Sequence, residues 1–141
     1  AIMQPYFFPY VGYWKLISYV DIFVVLDDVN YIQRGWIARN KIKCKNSEQW
    51  ITLPLEKASQ NKKINEIDIL ADNGWISKLI RSITHNYYQE FYYKETYPLV
   101  EEIMKNAQGN LSKFLTYKLI RPKEHLNIDT EIHSGSKLKE Y

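Results

Sequence analysis

The chain lacks most of what announces a metal site, an export route or a familiar catalytic apparatus. Its single cysteine, Cys44, cannot form an internal disulfide, and no Cys-x-x-Cys pair or Cys/His spacing suits zinc. A reducing, cytoplasmic setting and no protein-held metal are expected. No apolar run approaches the roughly 20 residues that span a bilayer, and no charged region leads into an apolar signal segment. Neither a membrane span nor export is therefore expected. The absence of a Gly-x-Ser-x-Gly elbow argues against a Ser/His/Asp hydrolase. Charge of one sign is also scarce: 19 basic residues face 16 acidic ones, for a net charge of +3. Spread through the chain, that balance does not by itself imply nucleic acid, which is not expected as a partner, and it permits a phosphate-bearing small molecule. There is no internal repeat and no low-complexity segment.

What the chain has in excess is tyrosine, 12 of its 141 residues, within an aromatic content of 15%. A chain of this length buries roughly 70% of its unfolded surface and suits one domain, here residues 1–141. It starts inside an apolar run, so it reads as a fragment of a longer protein.

The densest aromatic stretch is QPYFFPYVGYWKLI, Gln4 to Ile17. Ile2 to Gln4 reads as a strand stopped by Pro5, and Tyr6 to Tyr10 as a proline-bounded loop. A helix over Gly12 to Val20 follows, then the run Ile22 to Leu26, which fits a strand covered on both faces. Strand, helix and strand in this order form a parallel βαβ unit. Downstream, Ile37 to Lys43 and Gln49 to Leu53 flank a polar turn as a β-hairpin. Leu55 to Lys63 is a polar loop, and Ile64 to Leu70 a strand. Asp72 or Asn73 caps a helix carrying Trp75, Ile76, Leu79, Ile80 and Ile83. Thr96 and Pro98 open another that Gly109 closes, and Asn110 caps a third that Pro122 ends or kinks. A last strand, Asn127 to His133, leads into Ser134-Gly135-Ser136. The class is α/β: a Rossmann-like, open, mainly parallel sheet with flanking helices and an inserted β-hairpin.

Open parallel sheets bind ligands at the carboxyl ends of their strands. The aromatic loop leaves the first strand there, and Asp27-Asp28 leaves the second, so the two are expected to share a cleft. Asp27 or Asp28 is the candidate functional acid, although neighbours on an extended chain point to opposite faces and do not act together. Tyr6, Tyr10 and Tyr13, with Gln4 and Gly12, are candidate substrate contacts, because phenol rings offer a flat apolar face and an orienting hydroxyl. Arg34 and Arg39, the latter beside Asn40, are candidate clamps for a phosphate or carboxylate. Trp36 reads as core. His133, ending the last strand, is the one histidine suited to acid-base work; His85 and His125 read as a helix-end and a surface residue.

The run IMQPYFFPYVGYWKLISYVDIFVVLDDVNYIQRGWIARNKI, roughly the first third of the chain, closely resembles the opening of the WbqC-like family of bacterial proteins. NLSKFLTYKLI and LNIDTEIHSGSKL fit the same family's middle more loosely. That family is encoded among genes for surface polysaccharides such as O-antigen. The resemblance implies a transferase in polysaccharide precursor synthesis, attaching glycine or another acyl group to an amino sugar in its nucleotide-linked form. A fainter likeness is positional: Tyr10-Val11-Gly12-Tyr13 sits where nucleotidyltransferases carry His-x-Gly-His at a helix start. In those enzymes the histidines steady a triphosphate, so the likeness implies ATP and magnesium as co-reactants. Tyrosine, with a pKa near 10, stays neutral and supplies no cationic charge there. Two alternatives stand beside the transferase: a non-catalytic module that binds nucleotide sugar or glycan, and a nucleotidyltransferase-like enzyme.

Overall fold

The computed structural model describes residues 1–138. In chain order the elements are β1 (Ile2–Met3), α1 (Val11–Ser18), β2 (Ile22–Val25), β3 (Arg39–Lys43), β4 (Glu48–Thr52), a 3-10 turn (Ile64–Glu66), β5 (Asp68–Ile69), α2 (Trp75–Tyr87), α3 (Tyr93–Lys105), β6 (Gly109–Asn110), α4 (Leu111–His125), β7 (Glu131–Ser134) and α5 (Gly135–Leu138). Three strands form a parallel sheet in the order β1-β2-β7. Ile2 lies beside Val24, and Val25 beside Ser134. The strands β3 and β4 form the separate antiparallel hairpin, with Arg39 opposite Thr52. The α/β architecture is the one expected.

The central strand departs from expectation in one respect. Phe23 and Val25 are fully buried beneath Tyr13 and Ile17 of α1 and Leu119 of α4. Ile22, on the opposite face, is 50% exposed, and Ile2, on the neighbouring strand beside Val24, is 64% exposed. The sheet is therefore covered on one face, not two, among the described residues. An unbroken apolar run cannot report this, because both crossover helices pack on the same side and alternation of burial is imposed from outside the strand.

A second, larger core lies between the hairpin and the helices. It gathers Phe7, Ile37, Leu53, Ile64, Ile67, Met104, Leu111 and Leu115, all nearly inaccessible to solvent. Each such side chain contributes about 1.5–3 kcal/mol relative to staying in water. Helix ends follow local chemistry. The N-cap of α2 is Gly74 (φ 96°), not Asp72 or Asn73; Asp72, two residues before it, accepts through Oδ1 from the backbone N–H groups of Gly74 (2.9 Å) and Ile76 (3.3 Å). Asn110 Oδ1 accepts from Lys113 N–H (3.2 Å), which starts α4.

Several boundaries differ from the sequence expectation: α3 stops at Lys105, short of Gly109, which lies in β6, and β7 begins at Glu131, not Asn127. Helix α3 begins at Tyr93, before Thr96 and Pro98, and α4 runs past Pro122 to His125. One missing N–H is tolerated there because the buried stripe of α4 holds the helix in place. The expected strand from Ile64 to Leu70 is a 3-10 turn followed by the two-residue β5. Its Ile64 N–H bonds the Val29 carbonyl (3.0 Å), which turns Ile64 and Ile67 into the core. Among the described residues no helix is long and apolar enough to cross a membrane.

Candidate functional site

The aromatic loop is built by a turn that side chains from another element complete. Phe8 adopts a left-handed conformation (φ 54°), costly for a residue with a Cβ. Asn40 at the start of β3 offsets this: its Nδ2 donates to the carbonyls of Phe7 (3.0 Å) and Phe8 (2.6 Å). Asn40 thus holds the loop against the hairpin as well as facing the cavity beneath it. Replacing Asn40 with Ala leaves two part-buried carbonyls without partners and is expected to cost about 1–3 kcal/mol. Urea denaturation measures this, and an unchanged midpoint would separate the loop's shape from Asn40.

Tyr6, Tyr10, Trp36, Asn40 and Met3 line a cavity of about 370 Å³ where β1 ends. Trp36, expected in the core, is 47% exposed on this cavity. The reason lies on the next strand. Trp50 of β4 stacks on Trp36 at 5.7 Å between ring centroids, and the Arg39 guanidinium lies 4.3 Å from the Trp50 ring centre. Hairpin pairing thus supplies Trp36 with an apolar neighbour at the surface. Arg39 is committed to that stack, although its Nε is buried with no protein partner.

The remaining tyrosine-loop candidates divide. Tyr10 precedes α1 with its ring exposed, and its Cε2 lies only 2.4 Å from where a Cβ of Gly12 would stand. Gly12 therefore makes room for the Tyr10 ring over the helix start. Tyr13 is buried against Phe23 and Tyr6, and its hydroxyl donates to the Gln4 carbonyl (3.0 Å). Burial, then the nearby Tyr6 hydroxyl, raises the Tyr13 pKa above its ordinary value. The structure uses Tyr13 and Gln4 to fasten the loop to α1. Arg34 is exposed in a left-handed turn (φ 57°) and lines neither this cavity nor the next.

A second cavity, about 510 Å³ and lined mostly by residues with polar groups, opens where β2 and β7 end. Its centre is Asp27, 1% exposed. Asp27 Oδ2 accepts from the hydroxyls of Ser112 (2.5 Å), Ser134 (2.6 Å) and Ser136 (2.8 Å), while Oδ1 accepts from the Ser136 N–H (2.8 Å). Desolvation alone would raise the carboxyl's pKa; these four hydrogen bonds outweigh it and hold the pKa below the ordinary Asp value. Gly135 lets the chain pass: a Cβ there would stand 3.1 Å from the Val25 carbonyl oxygen. Lys113, Lys137, Asn110 and Thr116 are also in the lining, with Asn65, Tyr117 and Ile120, and the Thr116 hydroxyl is buried without a protein partner.

The two strand exits thus lie at one edge of the sheet but line cavities with no residue in common. Asp27 turns toward β7, away from the tyrosines. Asp28, half-buried, lines neither cavity. His133 lies on the open face of the sheet with Nε2 3.1 Å from Glu131 Oε2, while its neighbour Ser134 turns the other way, to Asp27. Strand alternation makes the two directions incompatible. Ser112, Ser134, Ser136, Lys113 and Lys137 were not anticipated as site residues. The signal available was Ser134-Gly135-Ser136 following a strand, which gains meaning only once β7 is known to pair with β2.

The chain is an α/β protein whose parallel sheet carries two separate cavities at its strand ends. The chain belongs to the WbqC-like protein family, whose model matches residues 4–141. It is 31% identical over 121 residues to the Mycobacterium tuberculosis protein named "Uncharacterized protein Rv1507c", an alignment covering 85% of this chain and 52% of that protein. The chain therefore spans about half the length of that relative. No solved structure matches it.

Proposed function

We propose that the chain is the ligand-binding part of a cytoplasmic transferase that forms an amide on a nucleotide-linked amino sugar, in bacterial surface polysaccharide (O-antigen) precursor synthesis. The observation that carries this reading is the aromatic cavity at the strand ends, Tyr6, Tyr10 and Trp36 around Asn40. Ring faces suit a sugar, and the tyrosine hydroxyls and Asn40 amide suit its hydroxyls. The second cavity, on the same edge, offers Lys113, Lys137 and the unpartnered Thr116 hydroxyl, the chemistry of a phosphate site. A ligand carrying both a sugar and a phosphate has a partner for each part.

Amide formation joins the sugar nitrogen to the donor's carbonyl carbon, breaks the bond to the leaving group and removes a proton from the amine. Asp27 is poorly suited to take that proton, since its oxygens already accept four hydrogen bonds. Asp28, the other acid of the pair, lines neither cavity, so in this reading the proton leaves to solvent. ATP, with magnesium, is the candidate activator of the donor, and the phosphate-binding residues above would hold it. A protein-bound magnesium does not fit the polar cavity, whose one carboxylate is already saturated.

A second reading is favoured by that same saturation: a non-catalytic module that binds a nucleotide sugar or glycan requires no proton acceptor. The two separate in one experiment. The full-length protein is incubated with ATP, magnesium, glycine and nucleotide-linked amino sugars, and mass spectrometry looks for a glycyl adduct with AMP or pyrophosphate. Turnover supports the transferase; saturable binding without turnover under every donor supports the module. In either case Trp36→Ala is expected to weaken binding of the sugar nucleotide about tenfold, roughly 1.4 kcal/mol. Unchanged affinity by calorimetry would remove the aromatic cavity from the reading.

A further inference from the structure

On the other side of the aromatic loop lies a cavity that the proposed function does not use. Phe8, Trp14, Leu99, Val100 and Leu126 are among its wall residues, Lys118 of α4 contributes a buried amine, and the volume is about 240 Å³. Lys118 is 3% exposed. Its Nζ donates to the Tyr6 carbonyl (3.2 Å) and lies 4.9 Å and 5.5 Å from the ring centres of Phe8 and Phe7. Among the described residues no carboxylate lies within ion-pairing distance of it. The neighbouring acids are engaged elsewhere: Glu102 with Arg121 and Tyr117, and Glu95 with His125 at the cavity wall (3.8 Å). Lysine is almost never fully buried without a partner. Desolvation, with nothing to offset it, holds the Lys118 pKa well below its ordinary value.

We propose that this cavity binds a small apolar carboxylic acid, its chain among Phe8, Trp14, Leu99 and Val100 and its carboxylate on Lys118. The wall is apolar except for Lys118, Thr96 and His125, so a ligand that matches it has an apolar body and a single anionic group. Size selects within that class. At a share of about 30 Å³ per water-sized atom, the cavity takes roughly eight non-hydrogen atoms, those of a six-carbon fatty acid. A nucleotide sugar is far too large. The carboxylate would supply the counter-charge that the fold omits, and Lys118 would take up a proton as the acid binds.

Calorimetry with sodium hexanoate at pH 8.5, in two buffers of different ionisation enthalpy, tests this. Saturable one-to-one binding is expected, with net proton uptake on binding. Hexan-1-ol, which keeps the chain and loses the charge, is expected to bind at least tenfold more weakly. Lys118→Met, which fills the same space without the amine, is expected to lose at least tenfold for hexanoate and nothing for hexan-1-ol. Absence of saturation, equal hexanoate affinity in the variant, or a heat independent of the buffer would overturn the proposal.

Discussion

Replacing Asp27 with Ala is expected to lower stability by about 3–5 kcal/mol, because it leaves a set of buried donors without their shared acceptor. Three elements meet at this carboxylate: Ser112 in the first turn of α4, Ser134 at the end of β7 and Ser136 in α5. None of the three serines has a comparably placed alternative acceptor among its recorded bonds; Ser134 and Ser136 have only each other (3.0 Å). Asp27→Asn keeps one acceptor oxygen and is expected to cost less, about 1–3 kcal/mol. The pH dependence follows from the direction of the shift. The folded carboxyl has a lower pKa than the unfolded one, so its contribution is complete above about pH 4, near the ordinary Asp value of about 3.9. It is lost as pH falls through the depressed folded value. Urea midpoints at pH 7 and through the acid range, for the wild type and Asp27→Asn, check both points. The variant should be less stable at neutral pH and lack that part of the wild type's acid loss. Equal midpoints at pH 7 would show that the serines are satisfied without the carboxylate.

Lys118→Met is expected to act in the opposite sense and raise stability at pH 7 by about 1–3 kcal/mol, the cost of burying an amine that has a hydrogen bond to the Tyr6 carbonyl but no counter-charge. Met preserves the stem's packing against Phe7 and Phe8 and removes the amine whose desolvation depresses its pKa. The sign follows from proton counting. Unfolded Lys118 holds a proton up to about pH 10.4, while folded Lys118 gives it up at a lower pH. The unfolded wild type therefore binds more protons, and wild-type stability rises with pH between those two values. The advantage of Met should shrink over that window and vanish above it, where only the lost hydrogen bond to the Tyr6 carbonyl distinguishes the two, about 1 kcal/mol in the wild type's favour. A Met variant less stable than wild type at pH 7 would mean that Lys118 is charged and compensated in the folded protein. Because the variant is expected to fold at least as well as wild type, it also serves as a clean control for hexanoate binding.

The position of Lys118 was legible in the sequence, but its significance was not. In NLSKFLTYKLI, Leu111, Phe114, Leu115 and Lys118 recur at helical spacing, so a lysine falls on an otherwise apolar stripe. Long lysine stems often run along such a stripe and carry the charge to water. Only the aromatic loop closing over α4, with Tyr6, Phe7 and Phe8, prevents that here. Trp36 went the other way. From sequence it read as an anchored core ring, and it became half-exposed because Trp50, 14 positions later, was paired into stacking range by the hairpin.

The amino-acid sequence by itself determined the elements whose causes are local. These are the βαβ start, the hairpin around its polar turn, the Asn110 start of α4, and the family to which the chain belongs. Each rests on residues within a few positions of one another, where capping, periodicity and turn chemistry act. Tertiary structure alone decided which face of the sheet is covered, which way Asp27 turns and which side chains meet it. Those outcomes depend on contacts between residues as far apart as Asp27 and Ser136. A strand's alternation says that its neighbours point to opposite sides, and only the packing of α1, α4 and β7 around it says which side is which.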